Sequence, residues 1–236
     1  MMYSETTALR KILKMQKRLK VVQGGSSAGK TIAILLLLID RAQKENGKLF
    51  SVVSETMPHL KRGAIRDFLS IMEGHGYYKD DLWNRTDYIY TLETGSKIEF
   101  FSADSSDKVR GPRRNVLFIN ECNNVSYETY TQLAIRTDED IYLDYNPVSS
   151  FWVHENVIPK LEHDFTILTY KDNQGLSVEI VKEIESRREN KNFWKIYGEG
   201  LLGEVEGRIF TGWQIIDEIP HEAKLVRRGL DFGYSA

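Results

Sequence analysis

The sequence has little of three things: cysteine, unbroken apolar sequence and net charge. Its one cysteine, Cys122, excludes an intramolecular disulfide and fits a reducing cytoplasm. The strongly apolar run at residues 32–39 is far shorter than the roughly 20 residues that span a bilayer, so we expect no membrane anchor. A formal net charge of -2 excludes strong long-range attraction of phosphate, and any nucleic-acid contact must therefore use local basic surface.

What is present is an alternation of strand and helix patterns. Short apolar stretches typical of strands occur at residues 20–23, 49–53, 116–119, 141–145 and 165–170, and a hairpin is predicted from 88–92 and 97–101. Helical patterns occur at residues 5–18, 31–44, 58–74 and 177–197. We therefore predict an α/β fold with a mainly parallel sheet, helices on both faces, and ligands beyond the carboxyl ends of the strands.

The clearest motif is a phosphate-binding loop at residues 24–31. Its sequence GGSSAGKT matches G-x-x-x-x-G-K-[ST] and lies between a predicted strand and a predicted helix. Glycines let backbone N–H groups turn towards phosphates, while the helix N-terminus adds partial positive charge. Lys30 is expected at the β- and γ-phosphates and the Thr31 hydroxyl at Mg²⁺. The predicted nucleotide contacts in this loop are Gly24, Gly25, Ser26, Ser27, Ala28, Gly29, Lys30 and Thr31.

A second segment, VLFINE at residues 116–121, has the form of a Walker B strand because it is apolar and ends in an amide and a carboxylate. Glu121 could orient and deprotonate an attacking water, or it could merely cap the next helix. Asn120 stands where a magnesium-associated aspartate is usual. Its amide oxygen can hold a metal-bound water but supplies no negative charge, so we expect a weaker Mg²⁺ contact there.

Two further segments carry polar candidates. The basic loop KVRGPRRN contains Arg110, Arg113 and Arg114, and an arginine there can reach a γ-phosphate or face DNA or solvent. We choose Arg110 as the arginine finger. Asn146, in the DYNP segment after the next predicted strand, is expected beside the γ-phosphate, although a plain Asn-Pro turn fits equally well.

Taken in order, these segments resemble the large terminase subunit of tailed bacteriophages, a DNA-packaging motor. The likeness covers nearly the whole chain and rests on GGSSAGKT, KVRGPRRN, VLFINECN, YLDYNP, YKDNQGLSVEIVKEI, EGRIFTGW and GLDFGYSA. The resemblance implies a RecA-like ATPase fold of the additional-strand, catalytic-glutamate class. It also implies that ATP hydrolysis with Mg²⁺ drives double-stranded DNA into a procapsid in the cytoplasm of an infected bacterial host.

The implied partners are duplex DNA, the portal protein and the small terminase subunit, with the chain in a homo-oligomeric ring. Arg110 would then act across a subunit boundary. Gln16 would contact adenine, although it could equally be an ordinary surface residue. Many terminases carry an arginine at the P-loop position that Ser26 occupies here. Serine removes that possible phosphate contact within the subunit, so we expect the arginine finger of a neighbouring subunit to matter more.

The resemblance also implies a domain organisation. It predicts a P-loop ATPase core at residues 1–174, a helical lid-like segment at 175–200, a linker at 201–224 and the first strand of an RNase H-like nuclease domain at 225–236. Asp231 matches the metal-binding aspartate of that nuclease strand. Because the chain stops five residues later, other acidic ligands are missing, and we expect no nuclease activity from this truncated chain.

Two other functions are compatible with a P-loop. A phosphotransferase acting on a small molecule would need no glutamate beside Walker B. A non-enzymatic assembly module that responds to bound ATP is favoured by Asn120. Phosphate release measured with and without duplex DNA separates all three.

Overall fold

The computed structural model describes residues 5–105, 109–203, 218 and 221–224. The chain divides into two compact units, Met1–Glu204 and Val205–Ala236. The predicted nuclease strand at 225–236, with Asp231, lies outside the described residues, as does most of the predicted linker. The fold below is that of the first unit.

Eight strands form one sheet among the described residues. The strands are β1 (Leu19–Gly24), β2 (Leu49–Ser54), β3 (Trp83–Asn84), β4 (Ile89–Thr91), β5 (Lys97–Ser102), β6 (Val116–Ile119), β7 (Ile141–Tyr145) and β8 (Asp164–Leu168). Their order across the sheet is β3-β4-β5-β2-β6-β7-β1-β8. The first three strands in this order pair antiparallel, and every later pair, from β5-β2 to β1-β8, is parallel. The mainly parallel sheet with a hairpin at one edge is therefore confirmed.

Helices cover both faces of the sheet, as predicted. Alternate strand residues point to opposite faces, so Val22 and Phe118 join one apolar core while Val21 and Leu117 join the other. The α-helices whose bounds the described residues give are α1 (Thr7–Leu13), α2 (Lys30–Lys44), α3 (Met57–Arg62), α4 (Ala64–Gly74), α5 (Tyr127–Ala134), α6 (Val178–Glu185) and α7 (Lys191–Phe193). The first core packs under α1 to α4, and the second under α5 and a π-helical turn at Val153–Val157.

Three predicted helices are shorter than their sequence patterns. The first ends at Leu13 rather than residue 18, and the helix predicted from residue 58 divides at Gly63, whose φ of -107° and ψ of -106° are not helical. The long helix predicted at 177–197 breaks after Glu185, since α6 has no buried residue and so lacks the packing that stabilises a long helix. Among the described residues, none of the helices combines the length and the apolar character that a membrane span requires.

The position of β7 creates the functional edge of the sheet. It lies between β1, which leads into the P-loop, and β6, which leads into Asn120 and Glu121. The strands are in parallel register, with Val22 opposite Asp144 and Ile119 opposite Leu143. This inserted strand is the additional strand of the predicted fold class, and it brings three strand ends to one edge.

Candidate functional site

A pocket of about 290 Å³ lies at the carboxyl edge of the sheet. It is bordered by residues 26–32 of the P-loop and α2, by Glu121 after β6, and by Asp144 and Asn146 of the β7 end. Asp67 of α4 and Asn173 complete the wall. The structure thus brings together most of the predicted phosphate-site residues, and it adds Asp144, Asp67 and Asn173, which the sequence analysis did not select.

The P-loop backbone is specialised at several positions. Gly29 precedes α2 with a left-handed φ of +78°, and Ser27 also has a positive φ of 64°. Asn173 Nδ2 donates a hydrogen bond to the Ser27 carbonyl at 2.9 Å. Gly25 has a different role: a Cβ at this position would collide with the backbone carbonyl of Tyr197. The loop therefore packs directly against the chain at Tyr197, which the motif alone does not indicate.

Lys30 is buried at the centre of the loop. Its Nζ donates to the carbonyls of Gly24 at 3.0 Å and Gly25 at 2.9 Å, and to Asn146 Oδ1 at 2.8 Å. Burial lowers the pKa of the Lys30 amine, and the nearby carboxylates of Asp144 and Glu121 oppose this shift. Asn146 therefore lies at the P-loop lysine, where the motif places the phosphates. Its role as a γ-phosphate sensor stays a prediction.

Asp144 is the central residue that sequence reasoning missed. Its side chain is buried, with 1% exposure, and accepts hydrogen bonds from the Thr31 hydroxyl at 2.8 Å and the Glu121 backbone N–H at 2.7 Å. Asn120 Nδ2 donates to both carboxylate oxygens, at 3.1 and 3.3 Å. Burial raises the Asp144 pKa, opposed by Lys30 and by these hydrogen bonds. The signal in the sequence was an acidic residue within a strand that is otherwise apolar and aromatic, IYLDY.

The side chain of Asn120 contacts both Thr31 and Asp144. Its Nδ2 group also donates to Thr31 Oγ1 at 3.1 Å. A hydroxyl that gives its proton to Asp144 still accepts through its lone pairs, so the three groups form a consistent network. In this structure the NH₂ group points to Thr31 and Asp144, and the predicted contact between Asn120 and Mg²⁺ stays a prediction.

Glu121 follows β6 with a left-handed backbone, φ 52° and ψ 54°. A positive φ is uncommon for a residue with a side chain and often marks a functional site. Its side chain accepts no backbone N–H of the 3₁₀ turn Cys122–Asn124, which argues against the capping alternative. Instead His59 Nε2 lies 3.0 Å from Glu121 Oε2. His59 was not selected from the sequence.

A family model described as phage terminase large subunit matches residues 16–201. The chain belongs to this family. A search of curated proteins found no match. Among solved structures, the large terminase of a thermophilic bacteriophage aligns with 21% identity and a TM-score of 0.72, covering 86% of this chain and 54% of that chain. An ADP complex of the same thermophilic-phage protein aligns with 24% identity and a TM-score of 0.69, covering 85% of this chain and 53% of that one.

The ATPase domain of the Thermus phage P74-26 large terminase is also similar, with 14% identity, a TM-score of 0.61, and coverage of 84% of this chain and 94% of that chain. These matches agree on the RecA-like P-loop fold. The terminase chain described here spans about half the length of the thermophilic-phage large terminase.

The structure separates the three candidate arginines of this terminase chain. Arg114 is 2% exposed and lies before the amino end of β6, with its guanidinium over the Phe101 ring. Arg113 forms an ion pair with Asp138 at 2.8 Å. Arg110 is exposed and has no ion pair within the described residues. Burial excludes Arg114 as a finger that reaches a neighbouring subunit, and Arg110 remains the prediction.

Gln16 lies away from the phosphate pocket. Its backbone N–H donates to Asp164, the first residue of β8, so it sits at the amino edge of the parallel strands. Strand β1 separates it from the P-loop by about 20 Å at 3.3 Å per residue. Gln16 is also exposed. The adenine contact is therefore not supported, and the surface-residue alternative fits the structure.

Proposed function

We propose that this chain is the ATP-hydrolysing part of a terminase motor, in which hydrolysis drives double-stranded DNA into a procapsid. The observation that carries the proposal is the pocket in which the P-loop, Asn146, Asp144 and Glu121 meet at the carboxyl edge of the sheet. Solved structures of the thermophilic-phage large terminase contain ADP or ATP-γ-S, which supports the nucleotide part of the proposal.

Each side chain has a separate task in this proposal. Lys30, buried and hydrogen-bonded to two loop carbonyls and to Asn146, exchanges those neutral acceptors for phosphate oxygens when ATP binds. Asn146 is released by that exchange and reports the γ-phosphate. Glu121, which borders the same pocket, orients the attacking water and accepts its proton. Arg110 of a neighbouring subunit stabilises the charge that develops on the transferred phosphoryl group.

The residues present also fit a magnesium ion. The Thr31 hydroxyl and the Asp144 carboxylate are oxygen donors in direct contact, and Mg²⁺ is normally held by one or two such groups together with phosphates and water. When bound, the ion would neutralise charge on the phosphates. Thr31 and Asp144 are the residues that would hold it.

The proposal includes the partners that a packaging motor needs. These are duplex DNA, the portal protein, the small terminase subunit and further copies of the chain in a ring, in the cytoplasm of the infected host. The exposure of Arg110 supports a contact between subunits, since a finger used in trans must be accessible. Nuclease activity is not proposed for this chain.

Two alternatives lose support. Glu121 borders the P-loop pocket, where a small-molecule phosphotransferase would need no glutamate. The assembly-module alternative depended on the missing negative charge at Asn120. The Asp144 carboxylate contacts both Asn120 and Thr31, so a negative charge is present at the site and this alternative loses its main support.

The test is phosphate release from ATP and Mg²⁺, with and without duplex DNA, by the purified 236-residue chain. We expect hydrolysis by the wild type, loss of nucleotide binding or turnover in Lys30→Ala, and retained binding with turnover reduced at least 100-fold in Glu121→Gln. Glu128→Gln, an exposed glutamate on α5, is the matched control and should resemble the wild type. Unchanged turnover in Glu121→Gln would refute the catalytic assignment.

A further inference from the structure

The buried carboxylate of the nucleotide site belongs to Asp144 on β7 and not to the residue that follows β6. Asn120, at the end of β6, offers a neutral amide where nucleotide-associated Mg²⁺ needs a nearby negative charge. The neighbouring strand β7 continues past the last pair between the two strands, Ile119 opposite Leu143, so its Asp144 lies directly beside Asn120. The carboxylate has therefore moved by one strand, about 4.8 Å, towards the P-loop strand.

The surroundings of Asp144 indicate a cation ligand. The carboxylate is 1% exposed, and its hydrogen-bond partners are a hydroxyl, an amide and a backbone N–H, all of them neutral. No basic side chain of the described residues forms an ion pair with it, and Lys30 directs its hydrogen bonds to Gly24, Gly25 and Asn146. A buried carboxylate is costly unless it is paired or bound to metal.

The partners of Asp144 are also those that a metal contact needs. Thr31, the P-loop hydroxyl expected to bind Mg²⁺, touches Asp144 Oδ2 at 2.8 Å. Glu121 donates its backbone N–H to Oδ1, so one carboxylate connects the metal-binding hydroxyl to the catalytic residue. Asn120 holds both oxygens from the other side through Nδ2.

We propose that Asp144 supplies the carboxylate for the Mg²⁺ that accompanies the nucleotide, and that Asn120 is a positioning residue which orients Asp144. The inference rests on the proposed function, since it concerns the same nucleotide site. The negative charge that usually follows the Walker B strand, here β6, is thus supplied by Asp144 of β7. Two side chains in contact have exchanged roles, so the roles should be exchangeable by mutation.

The test measures the affinity of the full chain for a fluorescent ADP analogue across a Mg²⁺ titration, which needs no hydrolysis. In the wild type we expect Mg²⁺ to tighten binding. In Asp144→Asn we expect the Mg²⁺ midpoint to rise at least tenfold, while affinity without metal changes less than about twofold. The exchanged variant Asn120→Asp/Asp144→Asn should recover most of the Mg²⁺ dependence.

The exchanged variant also protects the test against misfolding, because it keeps one carboxylate and one amide in the cluster. A wild-type Mg²⁺ dependence that persists in Asp144→Asn would overturn the inference. The inference would also be overturned if the Mg²⁺ dependence of nucleotide affinity were lost in Asp67→Asn but kept in Asp144→Asn, since Asp67 is the other aspartate at the pocket. If the wild type binds no nucleotide at all, the proposed function fails instead, and the two failures are thereby distinguished.

Discussion

His59 Nε2 lies 3.0 Å from Glu121 Oε2, so a histidine at α3 holds the carboxylate expected to activate water. Asn124 Nδ2 approaches the same oxygen at 3.4 Å. Both contacts therefore use Oε2, and no hydrogen bond from a described residue reaches Oε1. The geometry holds one oxygen of Glu121 and leaves the other open to a water.

This contact predicts a positioning role for His59. Replacing His59 by Ala frees the Glu121 side chain, and we expect kcat for ATP hydrolysis to fall about tenfold while KM stays within about twofold. His59→Gln retains an N–H donor and should recover part of the loss. Steady-state phosphate release provides the measurement, with His163→Ala, at the amino edge of the sheet, as control. An unchanged or increased kcat in His59→Ala would contradict the role.

The exposure of Arg110 predicts complementation between subunits. Arg110→Ala and Glu121→Gln chains should each be nearly inactive, but a mixture forms some sites with an intact glutamate and an intact neighbouring finger. Equal mixing should recover about a quarter of wild-type phosphate release, the fraction of such sites in random rings. Arg113→Ala, which removes only the ion pair with Asp138, should be active alone. No recovery at concentrations where the chains associate would exclude a finger in trans.

The close approach of Tyr197 to Gly25 predicts a stability effect. A Cβ on Gly25 meets the Tyr197 carbonyl, and since both are backbone the loop or the chain at Tyr197 must move. We expect Gly25→Ala to lower the free energy of unfolding by about 3 kcal/mol, measured by urea titration without nucleotide. Gly47→Ala is the matched control: Gly47 has a φ of +65° and open space around it, so only backbone strain of about 1 kcal/mol applies. Equal losses in both variants would refute the contact.

Buried tyrosines predict a loss of stability at alkaline pH. Burial raises the pKa of Tyr130 and Tyr142 to about 12, and it raises the pKa of Tyr145 in the same direction. An unfolded tyrosine loses its proton near pH 10, whereas the folded one retains it up to the higher pKa. The unfolded state is therefore favoured increasingly between about pH 10 and 12, and stability falls as pH rises through that window.

Each of Tyr130 and Tyr142 should contribute a loss of about 2 to 3 kcal/mol by pH 12, at 1.36 kcal/mol per unit of pKa. Denaturant titrations at pH 8, 10 and 11 measure the decline. Tyr130→Phe should reduce its slope, and Tyr77→Phe, at an exposed tyrosine, should not. A slope above pH 10 that is identical in the wild type and Tyr130→Phe would show that the buried phenol contributes nothing.

The bounds of a strand could be predicted from sequence where consecutive residues alone determine them. Strands Val116–Ile119 and Ile141–Tyr145 were predicted to the residue, because a central parallel strand buried on both faces is a continuous apolar run. Helix lengths were less accurate. The pattern at residues 177–197 looks like one helix, but α6 buries no side chain, and without packing the turns after Glu185 do not continue it.

The candidate site shows the same division. Lys30, Thr31 and Glu121 could be predicted because each follows a recognisable strand within a short motif, and the structure places all three at one pocket. His59 was not found, because it contacts Glu121 only after β2 and β6 are placed side by side. Gln16 was selected for its position upstream of the P-loop in sequence, yet the length of β1 puts it at the other edge of the sheet.

The sequence by itself determined that a phosphate-binding loop, an apolar strand followed by Asn120 and Glu121, and a second apolar strand containing Asp144 are present. Each of these features is a pattern of consecutive residues. Only the tertiary structure decided that β7 lies between β1 and β6. Strand order depends on pairing between residues far apart in the chain, which no local pattern encodes. That order converts Asp144 from an unremarked strand residue into the carboxylate that touches Thr31, Asn120 and Glu121.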